Sequence, residues 1–141
     1  MIINQIIKIE KHKFNMNDEY KFCGYTSGGF ILCSDDVEVT ILKSNLTYTK
    51  FGTIHTKEDF ANFLFGLTNV TYFSSIYHNG EKLAYAMYKP VFSSKNTQMT
   101  FLISSTKDVF AITFKTTNVI MERKHKSFLE WVKNLSIEYN L

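Results

Sequence analysis

The chain has 141 residues, of which 45 % are hydrophobic and 21 % charged, with a formal net charge of +3. That length suits one domain with a single core, and the balance excludes global disorder and a need for disulfide or metal staples. The charge is smaller than a dedicated nucleic-acid binder carries.

The opening run Met1-Ile-Ile-Asn-Gln-Ile-Ile-Lys8 lacks a basic lead and a sustained apolar stretch, so it does not read as a signal peptide. No segment reaches the roughly 18 apolar residues that a membrane span needs. The expected compartment is the cytoplasm, and Cys23 and Cys33 are then expected as reduced thiols. A three-residue turn centred on Gly28 would set those two cysteines opposite each other across a hairpin.

In chain order, four isoleucines among residues 2–11 favour a strand. Tyr20–Tyr25 and Phe30–Ser34 read as a hairpin closed by Ser27-Gly28-Gly29. Val37–Ser44 alternates, with Val37, Val39 and Ile41 sharing a face, and a further strand is possible around Asn45–Phe51. The first helix spans about 57–67. Thr56 caps it, Glu58 and Asp59 occupy its first turn, and Phe60, Phe63, Leu64 and Leu67 form one apolar stripe.

The run from Val70 to Lys115 holds two consecutive hairpins. Asn79-Gly80 is a two-residue turn that sets Ile76 against Leu83, Ser74 against Tyr85 and Tyr72 against Met87. Pro90 stops the second strand. The next hairpin turns near Lys107-Asp108, with Phe101, Ile103, Ile112 and Phe114 on a core face. Its other face, carrying Thr100, Ser104 and Thr113, looks wet. A second helix, about 121–138, carries Met121, His125, Phe128, Val132, Leu135 and Tyr139 at helical spacing. The fold class is therefore α+β in a single domain, residues 1–141. A single antiparallel sheet of about five to seven strands is built from hairpins, with both helices on its apolar face.

No cofactor is indicated. Phosphate-binding glycine loops are absent, and His12, His55, His78 and His125 show no metal-ligand spacing. Ser74 and Ser75 lie mid-strand, and nothing pairs Cys23 with a base, so the chain does not read as an enzyme. Two surfaces draw the eye. Asp35 and Asp36 sit in a turn, and His78 and Glu81 flank the Asn-Gly turn and join Tyr77 and Tyr88 on an exposed rim, where tyrosine serves well as an interface anchor. The alternative is nucleic acid, bound by Arg123, Lys124, Lys126 and Lys133 on the C-terminal helix.

The acid-aromatic helix Glu58-Asp-Phe-x-x-Phe63-Leu-x-x-Leu67, a meander with Met87-Tyr-Lys-Pro90, a second hairpin and a terminal helix follow one another. In that order the stretch resembles small bacterial toxin-immunity proteins of the contact-dependent-inhibition type. The resemblance implies a non-enzymatic protein that binds and occludes a toxin or effector domain, with no catalytic residue to carry over. The expectation is thus a cytosolic protein-binding inhibitor, with a phage-type inhibitor of a host defence protein as a variant of it.

Overall fold

A computed structural model describes residues 4–46, 51–63, 69–90 and 93–140. β1 (Gln5–Ile9) and β2 (His12–Met16) form an antiparallel hairpin, and β10 (Ser136–Tyr139) pairs with the other side of β2. The remaining strands build a larger antiparallel sheet: β3 (Lys21–Thr26), β4 (Gly29–Cys33), β5 (Glu38–Lys43), β6 (Asn69–His78), β7 (Glu81–Lys89), β8 (Asn96–Ser105) and β9 (Asp108–Thr117). Across that sheet the order is β3-β4-β5-β9-β8-β7-β6. The helices are α1 (Lys57–Phe63) and α2 (Asn118–Lys133).

The α+β antiparallel architecture with two helices holds, and two details refine it. Residues 5–9, 12–16 and 136–139 form a second, three-stranded sheet. The helices also lie on opposite faces of the large sheet. One core joins Phe101, Ile103, Ile112 and Phe114 to Met121, Phe128 and Trp131 of α2 and to Ile7, Phe14 and Met16 of the small sheet. A smaller core joins Phe60 and Phe63 of α1 to Val70, Ala84, Ala86, Tyr88 and Leu102 on the reverse face.

That reverse face is not the wet one its composition implied. Tyr88 Oη lies 2.7 Å from Thr100 Oγ1, which lies 2.8 Å from Thr113 Oγ1. The hydroxyls satisfy one another, so threonines can be buried there at little cost.

Hairpin geometry explains the registers. Asn79 and Gly80 both take positive φ (51° and 81°), as a tight turn of this hand requires. The pairing from Tyr72 to His78 follows the expected register until a bulge at Thr71 brings Val70 opposite Tyr88. The β8–β9 turn is Thr106-Lys107, which pairs Phe101 with Ile112 and Ile103 with Phe110. A turn at Lys107-Asp108 would have set Phe101 against Phe114 and Ile103 against Ile112; the observed register is two residues away, so every side chain keeps its face. Gly29 of β4 lies opposite Leu42 of β5, and a Cβ there would collide with the Ile41 carbonyl.

α2 starts at its cap Thr117, whose side chain accepts from the Ile120 N–H, and it stops at Asn134. The expected helix to 138 therefore ends early. Beyond Asn134 the alternation Ser136-Ile137-Glu138-Tyr139 finds an open strand, β2, to pair with, and tertiary pairing overrides helical spacing. α1 is capped as expected: Asp59 N–H donates to Thr56 Oγ1 and the Asp59 carboxylate accepts from the Thr56 N–H. The remainder of the 57–67 helix, and most of the Asn45–Phe51 strand, fall outside the described residues.

Candidate binding site

The six residues singled out for partner binding do not form one surface. Asp36 is a pin between the β4–β5 turn and α2. Its carboxylate takes the Lys124 ammonium on both oxygens, at 3.3 and 3.2 Å, and its carbonyl accepts from Thr116 Oγ1 at 2.7 Å. The Lys124 bond holds the Asp36 carboxyl below the usual carboxylate range. Asp35 beside it is exposed.

At the other end, His78 is buried and not exposed: the Leu135 carbonyl, just past α2, accepts a hydrogen bond from its Nε2. Flanking a turn did not keep it wet, because the segment after α2 folds over it. Tyr88 is likewise buried, in the hydroxyl chain of the second core. Glu81 is exposed and accepts from Ser104 Oγ at 3.3 Å, and Tyr77 is 72 % exposed. Lys124 and Lys133, the last residue of α2, lie roughly 14 Å apart along the helix axis, so the acidic turn and the Tyr77 corner are separate places.

The basic residues of α2 form no continuous strip either. Lys124 is tied to Asp36, and Lys133 pairs with Glu130 at 3.5 Å. Arg123 and Lys126 are exposed, without an ion pair among the described residues.

A different feature stands out at the margins of the large sheet. An edge strand presents unpaired N–H and C=O groups, and proteins ordinarily blunt such edges. The β3 edge is blunted. The Gln5 side chain donates from Nε2 to the Tyr20 carbonyl and accepts from the Phe22 N–H, both at 2.9 Å, so one amide side chain plays the part of a neighbouring strand. A bulge between Phe22 and Gly24 bends that edge further.

The β6 edge has no such device among the described residues. It runs ten residues, Asn69-Val-Thr-Tyr-Phe-Ser-Ser-Ile-Tyr-His78, with no Lys, Arg, Asp, Glu or Pro. Its turn makes His78 and Glu81 a hydrogen-bonded pair, and alternation from there aims the N–H groups of Phe73, Ser75 and Tyr77 outward. Tyr72 (49 % exposed) and Tyr77 flank this edge from the two faces of the sheet. Sequence reasoning had Tyr77 but missed Tyr72, which it placed only as the cross-strand partner of Met87. The usable signal was the absence of any charge over ten residues of strand.

On the reverse face, α1 and the segment after β5 enclose a half-open cleft of about 760 Å³ with a floor of Leu42, Leu46, Ile54, Phe63 and Ala111. Cys23 sits in the β3 bulge near Cys33, and both are free thiols. The expected register, with the two opposite, is shifted one residue by the tighter two-residue turn Ser27-Gly28 and one more by that bulge, which leaves Cys33 opposite Lys21. Hydrogen bonding to Cys23 and burial push the Cys33 thiol up to about 11. Among the described residues no group of three or more His, Cys, Asp or Glu is placed to hold a metal.

No protein-family model matches the chain, and no curated protein matches it in sequence. In structure it is similar to cyanobacterial PsbP (CyanoP) from Synechocystis sp. PCC 6803, at a TM-score of 0.62 and 9 % identity, over 95 % of this chain and 92 % of that one. At that identity the likeness shows the fold. It overturns the expectation of a toxin-immunity protein or inhibitor. That reading rested on an order of elements across less than half the chain, whereas the PsbP likeness spans nearly all of it.

Proposed function

We propose that the chain is a non-enzymatic binding protein that takes up an extended segment of a protein partner alongside β6. The observation that carries this reading is the contrast between the two margins of one sheet: β3 sealed by Gln5, β6 long, uncharged and open among the described residues. Strand addition to such an edge draws its affinity from main-chain hydrogen bonds and its selectivity from alternate side chains. Here Tyr72 and Tyr77 stand ready as rigid anchors, one on each face. The partner segment that fits is uncharged and rich in β-branched or aromatic residues.

The non-enzymatic part of the reading draws support from the histidines. His78 is bonded to the Leu135 carbonyl, His125 Nδ1 lies against the Met121 and Glu122 carbonyls, and His12 is wedged between Phe110 and Tyr139. Each of these rings is used by the fold.

The test places a photoreactive phenylalanine analogue at Tyr77 in the source cell, with and without Ser75→Pro. Proline at 75 removes an outward N–H and leaves the β6–β7 ladder intact. One discrete crosslinked protein that disappears in the proline variant is expected. No crosslink, or one unchanged by the proline, refutes the proposal.

A further inference from the structure

The cleft on the reverse face of the sheet is a second feature, independent of the β6 edge. Its volume of about 760 Å³ lies within the ~300–1,000 Å³ of sites that hold drug-sized molecules. Its floor is aliphatic and aromatic, supplied by Leu42 of β5, Ala111 of β9, Phe63 of α1, and Leu46 and Ile54.

Its charges are spent elsewhere. Asp59, on the wall, accepts the N–H groups of His55 and Thr56 at 2.9 and 3.0 Å. Lys43, on the opposite wall, is drawn to Glu10 at 3.4 Å and to Asp108 at 3.7 Å. Among the described residues a charged ligand would therefore find no uncompensated counter-charge, and it would lose hydration without return. What the rim offers is neutral: the side chains of Asn45 and Asn62, both exposed. An amide both donates and accepts.

From this we infer that the cleft binds an uncharged molecule with an apolar body and one hydrogen-bonding end, the body lying on Leu42, Ile54, Phe63 and Ala111 and the end at the Asn45–Asn62 rim. The cleft and the β6 edge are separate sites, so either can be disabled alone.

The probe is N-phenyl-1-naphthylamine, a neutral apolar dye with one N–H, titrated into the full chain and followed by fluorescence. Saturable one-to-one binding is expected. Ala111→Phe, which fills the floor, and Asn62→Trp, which crowds the rim from an exposed helix position and leaves the core alone, each weaken it at least tenfold. Ser75→Pro leaves it unchanged. The anionic relative 8-anilinonaphthalene-1-sulfonate binds at least tenfold more weakly than the neutral dye. Absence of saturable binding, indifference to Asn62→Trp, or equal or tighter binding of the anion overturns the inference.

Discussion

Phe114 is the side chain on which the main core turns, and Phe114→Ala is the sharpest probe of it. The ring is fully buried on β9, stacked on Phe128 of α2 at 4.4 Å and edge-on to Phe101, Tyr20 and Trp131 at 5.9 Å each. Truncating a buried Phe costs about 3–5 kcal/mol in lost transfer energy and residual cavity. The aromatic neighbours place this case at the upper end, since each well-oriented pair adds roughly 0.5–1.5 kcal/mol beyond area. None of the four rings can collapse into the space without leaving the others, so relaxation recovers little. A loss of about 4–5 kcal/mol is a large share of the roughly 5–15 kcal/mol available to a domain, and it lowers Tm by about 12–15 °C. Urea denaturation with an unchanged slope is the assay. A loss under about 2 kcal/mol would refute the central place given to this ring.

Other expectations follow from single contacts. Gln5→Ala removes two hydrogen bonds from the β3 edge; it costs about 1–3 kcal/mol and promotes edge-to-edge self-association, read by sedimentation. An unaltered monomer of unaltered stability would show that Gln5 seals nothing. His12 is buried with no hydrogen-bond partner on Nε2 among the described residues, and that nitrogen lies 3.7 Å from Asp108. Replacing the imidazole by phenyl, His12→Phe, therefore raises stability by roughly 1 kcal/mol at pH 8, and a clear loss would contradict the orphaned nitrogen. The raised Cys33 thiol is less ionised at a given pH than a free cysteine. At pH 8 on the order of a thousandth of it is thiolate, so its alkylation is slow and accelerates up to about pH 11. Alkylation as fast as that of a free thiol at pH 8 would refute this.

Much of the fold could be read from local pattern. The Asn79-Gly80 turn fixed the Ile76–Leu83, Ser74–Tyr85 and Tyr72–Met87 pairs in advance, and the Phe101–Ile103–Ile112–Phe114 face survived a two-residue register change because strand faces repeat every second residue. The Thr56–Asp59 cap was equally legible. What escaped was non-local. β2 and β10 are short, and they are strands because they find each other 121 residues apart, as the Asn15–Ser136 side-chain bond records. The burial of His78 depends on where the chain goes after α2, which no feature near residue 78 encodes. Tyr88 and Thr100 looked surface-bound because their hydroxyls are polar, and only the three-dimensional chain of hydroxyls makes them core. The functional reading failed for a related reason: a familiar order of elements in half a chain fits several folds, and the whole-chain likeness decides between them.

Backbone amide hydrogen exchange along β6 in the isolated protein tests the account most directly. Phe73, Ser75 and Tyr77 should exchange on the scale of exposed amides while Ser74 and Ile76 are protected, an alternation with period two; Phe22 on the opposite edge should be slow behind Gln5. Uniform protection from residue 72 to 78 would mean that the margin is already occupied, and strand uptake at β6 would have no place to occur.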